Sequence, residues 1–392
     1  MVRVVGLALG LAVAAAAIVG MQLPLLQRPS SARQLLRPVL DPAPATALAW
    51  PSVGSAALYI PSLGVLEGYR DVVAPIASLT KMMTAYVALA KLPLGLGQSG
   101  PCHTVTSYDV ANYEQLEALG ESTVPVVEGE QLCEIDLLEG VLVHSAGNYA
   151  VMLANMVAGS NGAFVADMNS EAKALGLAGT SYVDVTGLSP QSESTALDQV
   201  RLSALLMESP LVRSIVIQSS VTLPDVGSVN SFTPYVGTDN VIGVKSGRTQ
   251  QAGGCDALAM DYQQGWDTRV VYVVVLGQQG GDLLGPAGEA ALALANSAVA
   301  NRLHYTLQKD QAFGEISYGA RHVALGLAHS YELWWWPEQG ALRVSMRVRR
   351  YTGTIHHDEV VGQLIVQGAV RHTYPLVALG QLAPLSLLQR IR

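Results

Sequence analysis

Apolar residues recur along this chain in three different rhythms, and each predicts a different kind of element. Residues 4–26 (VVGLALGLAVAAAAIVGMQLPLL) form an unbroken run without charge, long enough to cross a bilayer. From about Ser78 the rhythm becomes helical. In LTKMMTAYVALAKL, Met82, Tyr86 and Ala90 share one stripe, and Leu79 and Met83 lie beside it. The stretch 134–158 predicts two apolar helices, broken by HSAGNYA at 144–150. A further helix is expected over 163–177, ended by Gly176 and Gly179, and a long Ala-rich one over 286–303. Between the helices lie strand patterns. SAALYIPSLGVLEGY (55–69) predicts a hairpin around a Ser-Leu-Gly turn. NVIGVKSGRTQQAGGCDALAMDY and TRVVYVVVLGQ predict neighbouring β-branched strands. After about residue 304 only strands are expected, and ALRVSMRVRR alternates cleanly. Leu342, Val344, Met346 and Val348 fall on one face; Arg343, Ser345, Arg347 and Arg349 fall on the other.

These rhythms divide the chain into five parts. Residues 1–27 read as a signal peptide or a membrane anchor, because a short basic start precedes the apolar run and no clean small-x-small cleavage site comes after it. Arg28, Arg33 and Arg37 just beyond the run leave its orientation open. Residues 28–50, rich in Pro and Ala, read as a linker. Residues 51–303 form a mixed α/β (α+β) domain, 304–380 a small all-β domain, and 381–392 a tail.

Composition changes this picture little. Of the 392 residues, half are hydrophobic, which suits a large core, and the net charge of −8 argues against a nucleic-acid partner. Lysine usage is more informative. Only Lys81, Lys91, Lys173, Lys245 and Lys309 stand among 23 basic residues. A lysine kept where arginine is the habit fits a site that needs an amine able to lose its proton. Cys102 and Cys133 lie in strand-like segments and would form a disulfide if those segments pair in an oxidising compartment; the alternative is two unrelated core residues. Cys255 reads as a core residue.

Candidate chemistry begins at Ser78-Leu79-Thr80-Lys81. At a helix start, positions i and i+3 lie on one face, so hydroxyl and amine can meet. The helix dipole favours negative charge on the serine oxygen, and an amine in an apolar site beside a second cation can take the serine's proton. The plain alternative is Ser78 as an N-cap and Lys81 in solvent. The second element is Lys245-Ser246-Gly247. On an edge strand the lysine attracts a carboxylate, the hydroxyl can donate to it, and glycine allows close approach; a bulge with a solvated lysine is the alternative. His144 beside Ser145 invites a Ser-His pair, but adjacent residues seldom face one another and no matching acid is evident. Trp334-Trp335-Trp336 and the arginines of the β domain read as packing and as a solvated face, in preference to lipid contacts.

Taken in order, Ser78-x-x-Lys81, Ser145 in the helix break and Lys245-Ser246-Gly247 resemble the three motifs of the low-molecular-weight penicillin-binding proteins, the serine D-alanyl-D-alanine carboxypeptidases of the peptidase S11 family. MNSEAKALGL (168–177), TGLSP (186–190), STALD (194–198) and AGGC (252–255) are further landmarks of that family. The resemblance runs from about residue 52 to about 380. It implies a β-lactamase/transpeptidase-like catalytic domain followed by a C-terminal β-sandwich. It also implies an exported envelope enzyme, without metal or cofactor, acting on the D-Ala-D-Ala end of peptidoglycan stem peptides and inhibited by β-lactams. Ser78 matches the nucleophile, Lys81 its general base, and Ser145 the relay to the leaving amine. Lys245 and Ser246 match the carboxylate-binding pair, with serine for the usual threonine. Gly247 and Arg248 complete the strand, the Arg248 N–H joining that of Ser78 in an oxyanion hole.

The resemblance breaks at one position. Gly147 stands where the second motif usually has asparagine, and glycine has no amide to bind a substrate or steady the lysine. Asn148, the next residue, is the expected stand-in. Two alternatives remain: an impaired relative that binds stem peptides without turnover, and a β-lactamase, against which the β tail domain and the lack of a clear acidic deacylation base both argue.

Overall fold

The computed structural model describes residues 29–36, 39–40, 47–368 and 370–384. The apolar run at 4–26 and the end of the tail lie outside the described residues. The chain divides into two compact units. One lies within 46–302; the other combines the described residues before it with the described residues from Leu303 onward.

The larger unit is built on a five-stranded antiparallel sheet in the order Val241–Thr249, Gly253–Gln264, Asp267–Gln278, Ser55–Ile60, Val65–Tyr69. The first of the two expected late strands is therefore a hairpin. Its centre reads as a continuous apolar run because both faces are covered. Tyr272, Val274 and Leu276 join the core beneath the helices, and Val271, Val273 and Val275 are equally buried on the other side. Helix Leu284–Asn301 packs on the two central strands, and helix Ala196–Leu206 packs on Asp267–Gln278 and Ser55–Ile60.

A helical cluster supplies the rest of this unit. Thr80–Lys91, Glu134–Leu142, Gly147–Ala158 and Asn161–Ala174 pack together through Met82, Met83, Leu137, Val141, Leu153 and Phe164, all buried. The break between the second and third of these helices falls at 143–146, at the start of HSAGNYA. Cys102 and Cys133 face each other in a short antiparallel pair and form a disulfide. Cys255 is free and buried.

In the smaller unit a seven-stranded antiparallel sheet and the ribbon Leu303–Leu307/Tyr331–Trp335 share one apolar cluster. Leu342–Val348 alternates buried and exposed residues as its sequence pattern requires. Trp335 and Trp336 are buried, and Trp334 stacks on His304. One expectation is corrected here. Part of the stretch 28–50 is not a linker: Ser31–Gln34 pairs with Gly314–Tyr318, and Val39–Leu40 pairs with the start of Leu342–Val348. Edge pairing uses backbone groups, so a Pro-rich, Ala-rich composition does not reveal it.

Candidate active site

Ser78 lies in a single 3-10 turn, Ala77–Leu79, that runs directly into helix Thr80–Lys91. Neither element is capped by a side chain at its N-terminus, so the Ser78 hydroxyl is not spent as a cap. It accepts a hydrogen bond from Lys81 Nζ at 3.0 Å. Ala77, just before it, has φ +47, a left-handed conformation that costs a non-glycine residue on the order of 1–3 kcal/mol. Gly187 explains what holds the turn in that shape. With φ +82, it lies so close that a Cβ there would sit 1.8 Å from the Ala77 carbonyl oxygen.

Lys81 is completely buried and makes three hydrogen bonds: to Ser78 Oγ, to Glu121 Oε1 at 2.6 Å and to the Thr186 carbonyl at 3.0 Å. These account for all three protons of an ammonium group. The Thr186 carbonyl is presented by a loop wound around Asp184, whose carboxylate accepts from Thr186 Oγ1, the Gly187 and Ser189 N–H groups and Ser192 Oγ. The TGLSP landmark is therefore a support for the lysine.

The corner at Ser145 is another left-handed residue, φ +62. Its side chain is buried, and among the described residues its Oγ has no hydrogen-bond partner. His144 does not face it: His144 Nδ1 bonds the Asn230 carbonyl and the ring packs at a tilt against Phe232.

On the third side, strand Val241–Thr249 runs against Ser78. A Cβ on Gly247 would lie 2.6 Å from the Ser78 nitrogen and 3.1 Å from its Cα. Lys245 is fully buried and donates to the Ser246 carbonyl, and Ser246 Oγ donates to the Phe232 carbonyl. Burial first, and then repulsion from Lys81, push the Lys245 amine down to about 7. Asp256, also fully buried and cross-strand from Ser246, is pushed up by its own desolvation. Arg248 turns outward, its guanidinium on the Asp282 carbonyl, so only its backbone belongs to this strand face.

Two further findings concern the second motif. Asn148 is fully buried, its amide nitrogen donating to the Val124 carbonyl and its oxygen accepting from the Val124 N–H. The expectation that Asn148 replaces the missing amide is thus corrected: both ends of its side chain are held by the backbone of Val124. What occupies the space above Gly147 is Glu121, which sequence reasoning did not select. A Cβ on Gly147 would lie 2.6 Å from Glu121 Cγ and 3.1 Å from Oε1. The only signal in the sequence is Gly120, which ends helix Ser107–Ala118 in a left-handed residue. Its N–H bonds the Glu117 carbonyl and the Glu121 N–H bonds the Leu116 carbonyl, a Schellman arrangement that fixes where Glu121 begins.

Comparison with known proteins agrees with this geometry. The family described as D-alanyl-D-alanine carboxypeptidase matches residues 65–280, more than half of the chain. Among curated relatives, the D-alanyl-D-alanine endopeptidase of Escherichia coli is 29% identical over 55% of this chain and 70% of its own length. The corresponding Pseudomonas aeruginosa endopeptidase is 40% identical over 36% of this chain and 43% of its own. The E. coli carboxypeptidase DacC is 33% identical over 53% and 52%. The chain thus spans about half the length of several curated relatives it matches. Among solved structures, penicillin binding protein 6B of E. coli aligns with a TM-score of 0.62 at 21% identity, covering 88% of this chain and all of the other. Penicillin binding protein 5 of Haemophilus influenzae aligns at 0.59 and 20%, covering 87% and 98%. A shared fold, the buried Ser78–Lys81 contact with the Gly247 strand against it, and a family match across the catalytic unit lead to one assignment: this chain belongs to the peptidase S11 family, the D-alanyl-D-alanine carboxypeptidases.

Proposed function

We propose that the protein is a serine hydrolase that removes the terminal D-alanine from peptidoglycan stem peptides through an acyl-enzyme. The observation that carries this reading is the buried contact of Ser78 Oγ with Lys81 Nζ, with the Gly247 strand against the same serine. Ser78 Oγ attacks the penultimate D-alanine carbonyl, and its proton passes to Lys81 as the C–O bond forms. The N–H groups of Ser78 and Arg248 receive the oxyanion. Lys245, with the Ser246 hydroxyl, holds the substrate's terminal carboxylate, and Ser145 carries a proton to the departing amine. Water then repeats the sequence on the acyl-enzyme.

The names of the E. coli and P. aeruginosa relatives favour a second reading at the same site, cleavage within cross-linked peptides. The two differ in the leaving group beyond the scissile bond, a single D-alanine or a longer chain. Residues 4–26 and the Cys102–Cys133 disulfide support export to an oxidising compartment. Among the described residues no single helix is long and apolar enough to cross a membrane. Fractionation of cells expressing the full chain, with protease added to spheroplasts, tests the export.

The decisive assay incubates purified protein with fluorescent penicillin, a diacyl D-Ala-D-Ala peptide and a cross-linked dimeric muropeptide, with Ser78→Ala as control. Labelling with D-alanine release supports the carboxypeptidase, and cleavage of the dimer supports the endopeptidase. Labelling without any release marks an impaired relative. Rapid hydrolysis of the penicillin marks a β-lactamase. An unlabelled, folded protein that releases nothing would overturn the hydrolase reading.

A further inference from the structure

Gly147 and Glu121 occupy one space between them. The carboxylate lies where a side chain at 147 would begin, and it reaches Lys81 at 2.6 Å, closer than either other partner of that lysine. Glu121 is 7% exposed and Lys81 not at all, so the pair is shielded from solvent and holds its geometry. Three features fix the carboxylate from its own side. The Schellman turn places Glu121, the Ser122 carbonyl accepts from the Gly147 N–H at 2.7 Å, and Asn148 clasps Val124 just beyond. The segment 121–124 is therefore docked onto the start of helix Gly147–Ala158 at two points, Ser122 on Gly147 and Val124 on Asn148. This packing needs the absence of a side chain at 147, and the contact with Lys81 needs the carboxylate at 121.

We propose that Glu121 is the positioning partner of Lys81 in this protein, standing in place of a side chain at position 147 and holding the proton that Lys81 must shed before it can act as a base. This rests on the serine-hydrolase reading of the same site. An ammonium whose three protons are all donated has no lone pair for Ser78. Transfer of one proton from Lys81 Nζ to Glu121 Oε1 leaves a neutral amine facing the serine at 3.0 Å. The amine takes the hydroxyl proton as Oγ bonds to the carbonyl carbon. It gives that proton, through the Ser145 hydroxyl, to the departing nitrogen as the C–N bond breaks, and the Glu121 proton then returns to Lys81. No charge is created or lost in the buried pair beyond what the substrate carries through. An asparagine at 147 could steady the lysine but could not hold its proton, so the two arrangements differ in chemistry as well as in shape.

The test is a set of variants at the two positions, read by the rate of fluorescent-penicillin acylation across pH and by thermal unfolding. Glu121→Gln keeps the shape and loses the proton acceptor. It should slow acylation about 10²-fold, the lower end for a positioned acid–base group, and change the pH profile of acylation; Glu121→Asp should recover part of the rate. Gly147→Asn alone should be slower than the unmodified protein, because its side chain displaces Glu121. Combined with Glu121→Ala it should recover activity and melting temperature relative to either single change. Unchanged rate and pH profile in Glu121→Gln, or a faster Gly147→Asn, would overturn the inference while leaving the hydrolase reading intact. If the unmodified protein is not labelled, the hydrolase reading fails and the melting temperatures decide: mutual rescue supports the pairing, and additive losses overturn it.

Discussion

Gly247 and Ser78 touch through their backbones: a Cβ on the glycine would fall 2.6 Å from the serine nitrogen, well inside van der Waals contact. The approach brings the Lys245-Ser246-Gly247 strand and the Ser78 turn to one wall of the site, the arrangement that the proposed two-donor oxyanion hole requires. Gly247→Ala is therefore expected to push the strand away from Ser78. Acylation should fall by about 10²-fold or more, as when one such donor is removed. The loss should exceed what the change in melting temperature explains, because the clash of the added Cβ is local and falls on the Ser78 backbone. Stopped-flow acylation beside calorimetry checks this, and an acylation rate within about threefold of the unmodified protein would refute it.

The state of Lys245 gives a pH dependence with a definite sign. With its amine pushed down to about 7 by burial and by Lys81, with Glu121 and Asp256 pulling weakly the other way, it is charged below about pH 7 and neutral above. In the proposed role of Lys245 a substrate carboxylate binds the charged form, so KM for a D-Ala-D-Ala peptide should rise with pH above that point. In the limit the rise is about tenfold per pH unit, since binding must then take up a proton. Lys245→Arg cannot lose its charge and should show a flat KM over the same range. A peptide amidated at its C-terminus should show little pH dependence with either protein. Measuring the three KM profiles from about pH 6 to 9 checks the assignment.

The parts of this site that arise from local geometry were legible in the sequence. Ser78 and Lys81 sit one helical turn apart, and HSAGNYA carries turn chemistry between two apolar stripes, so helix break and corner serine could be placed without coordinates. Glu121 could not. It lies 40 residues from Lys81 in a polar stretch, LGES, that reads as an ordinary helix end. Only packing of that stretch on the Gly147 helix turns it inward. The misreading of Asn148 has a simple cause. Successive residues on a helix diverge by roughly 100°, so the neighbour of Gly147 cannot fill the space that Gly147 leaves. The strand at Ser31–Gln34 was hidden because its pairing needs backbone groups and little side-chain pattern.

Asn148 has a different duty, which predicts a different phenotype. Its amide closes a two-bond ring with the backbone of Val124 in a fully buried setting. Asn148→Ala would strand one buried N–H and one buried C=O, at about 1–3 kcal/mol for each unsatisfied group. The expected result is a loss of roughly 2–5 kcal/mol in urea unfolding. Because the segment carrying Glu121 is released at the same time, acylation should slow, while KM for a D-Ala-D-Ala peptide, which Asn148 does not touch, should stay within about twofold at a temperature where the variant remains folded. A large rise in KM with little loss of stability would instead return Asn148 to the substrate-binding role.

The Cys102–Cys133 disulfide acts on the same segment from a distance. It closes a loop with a sequence separation of 31 that contains helix Ser107–Ala118, Glu121 and Val124. Closing a loop of this length restricts the unfolded chain by on the order of 3–4 kcal/mol. Within the folded protein it keeps the base of the segment paired while Gly147 and Asn148 hold its far end. Replacing both cysteines by serine should therefore lower stability by about that amount, less any native-state relaxation. It should also slow acylation, because a loosened segment no longer presents the carboxylate to Lys81, and Glu121→Gln should then cost less in that background than it does alone. Measuring acylation for the disulfide variant, Glu121→Gln and the combination gives the coupling directly. Strictly additive effects would mean that the disulfide stabilises the fold without positioning Glu121, and a combination no slower than the disulfide variant alone would mean that positioning Glu121 is its main contribution to catalysis.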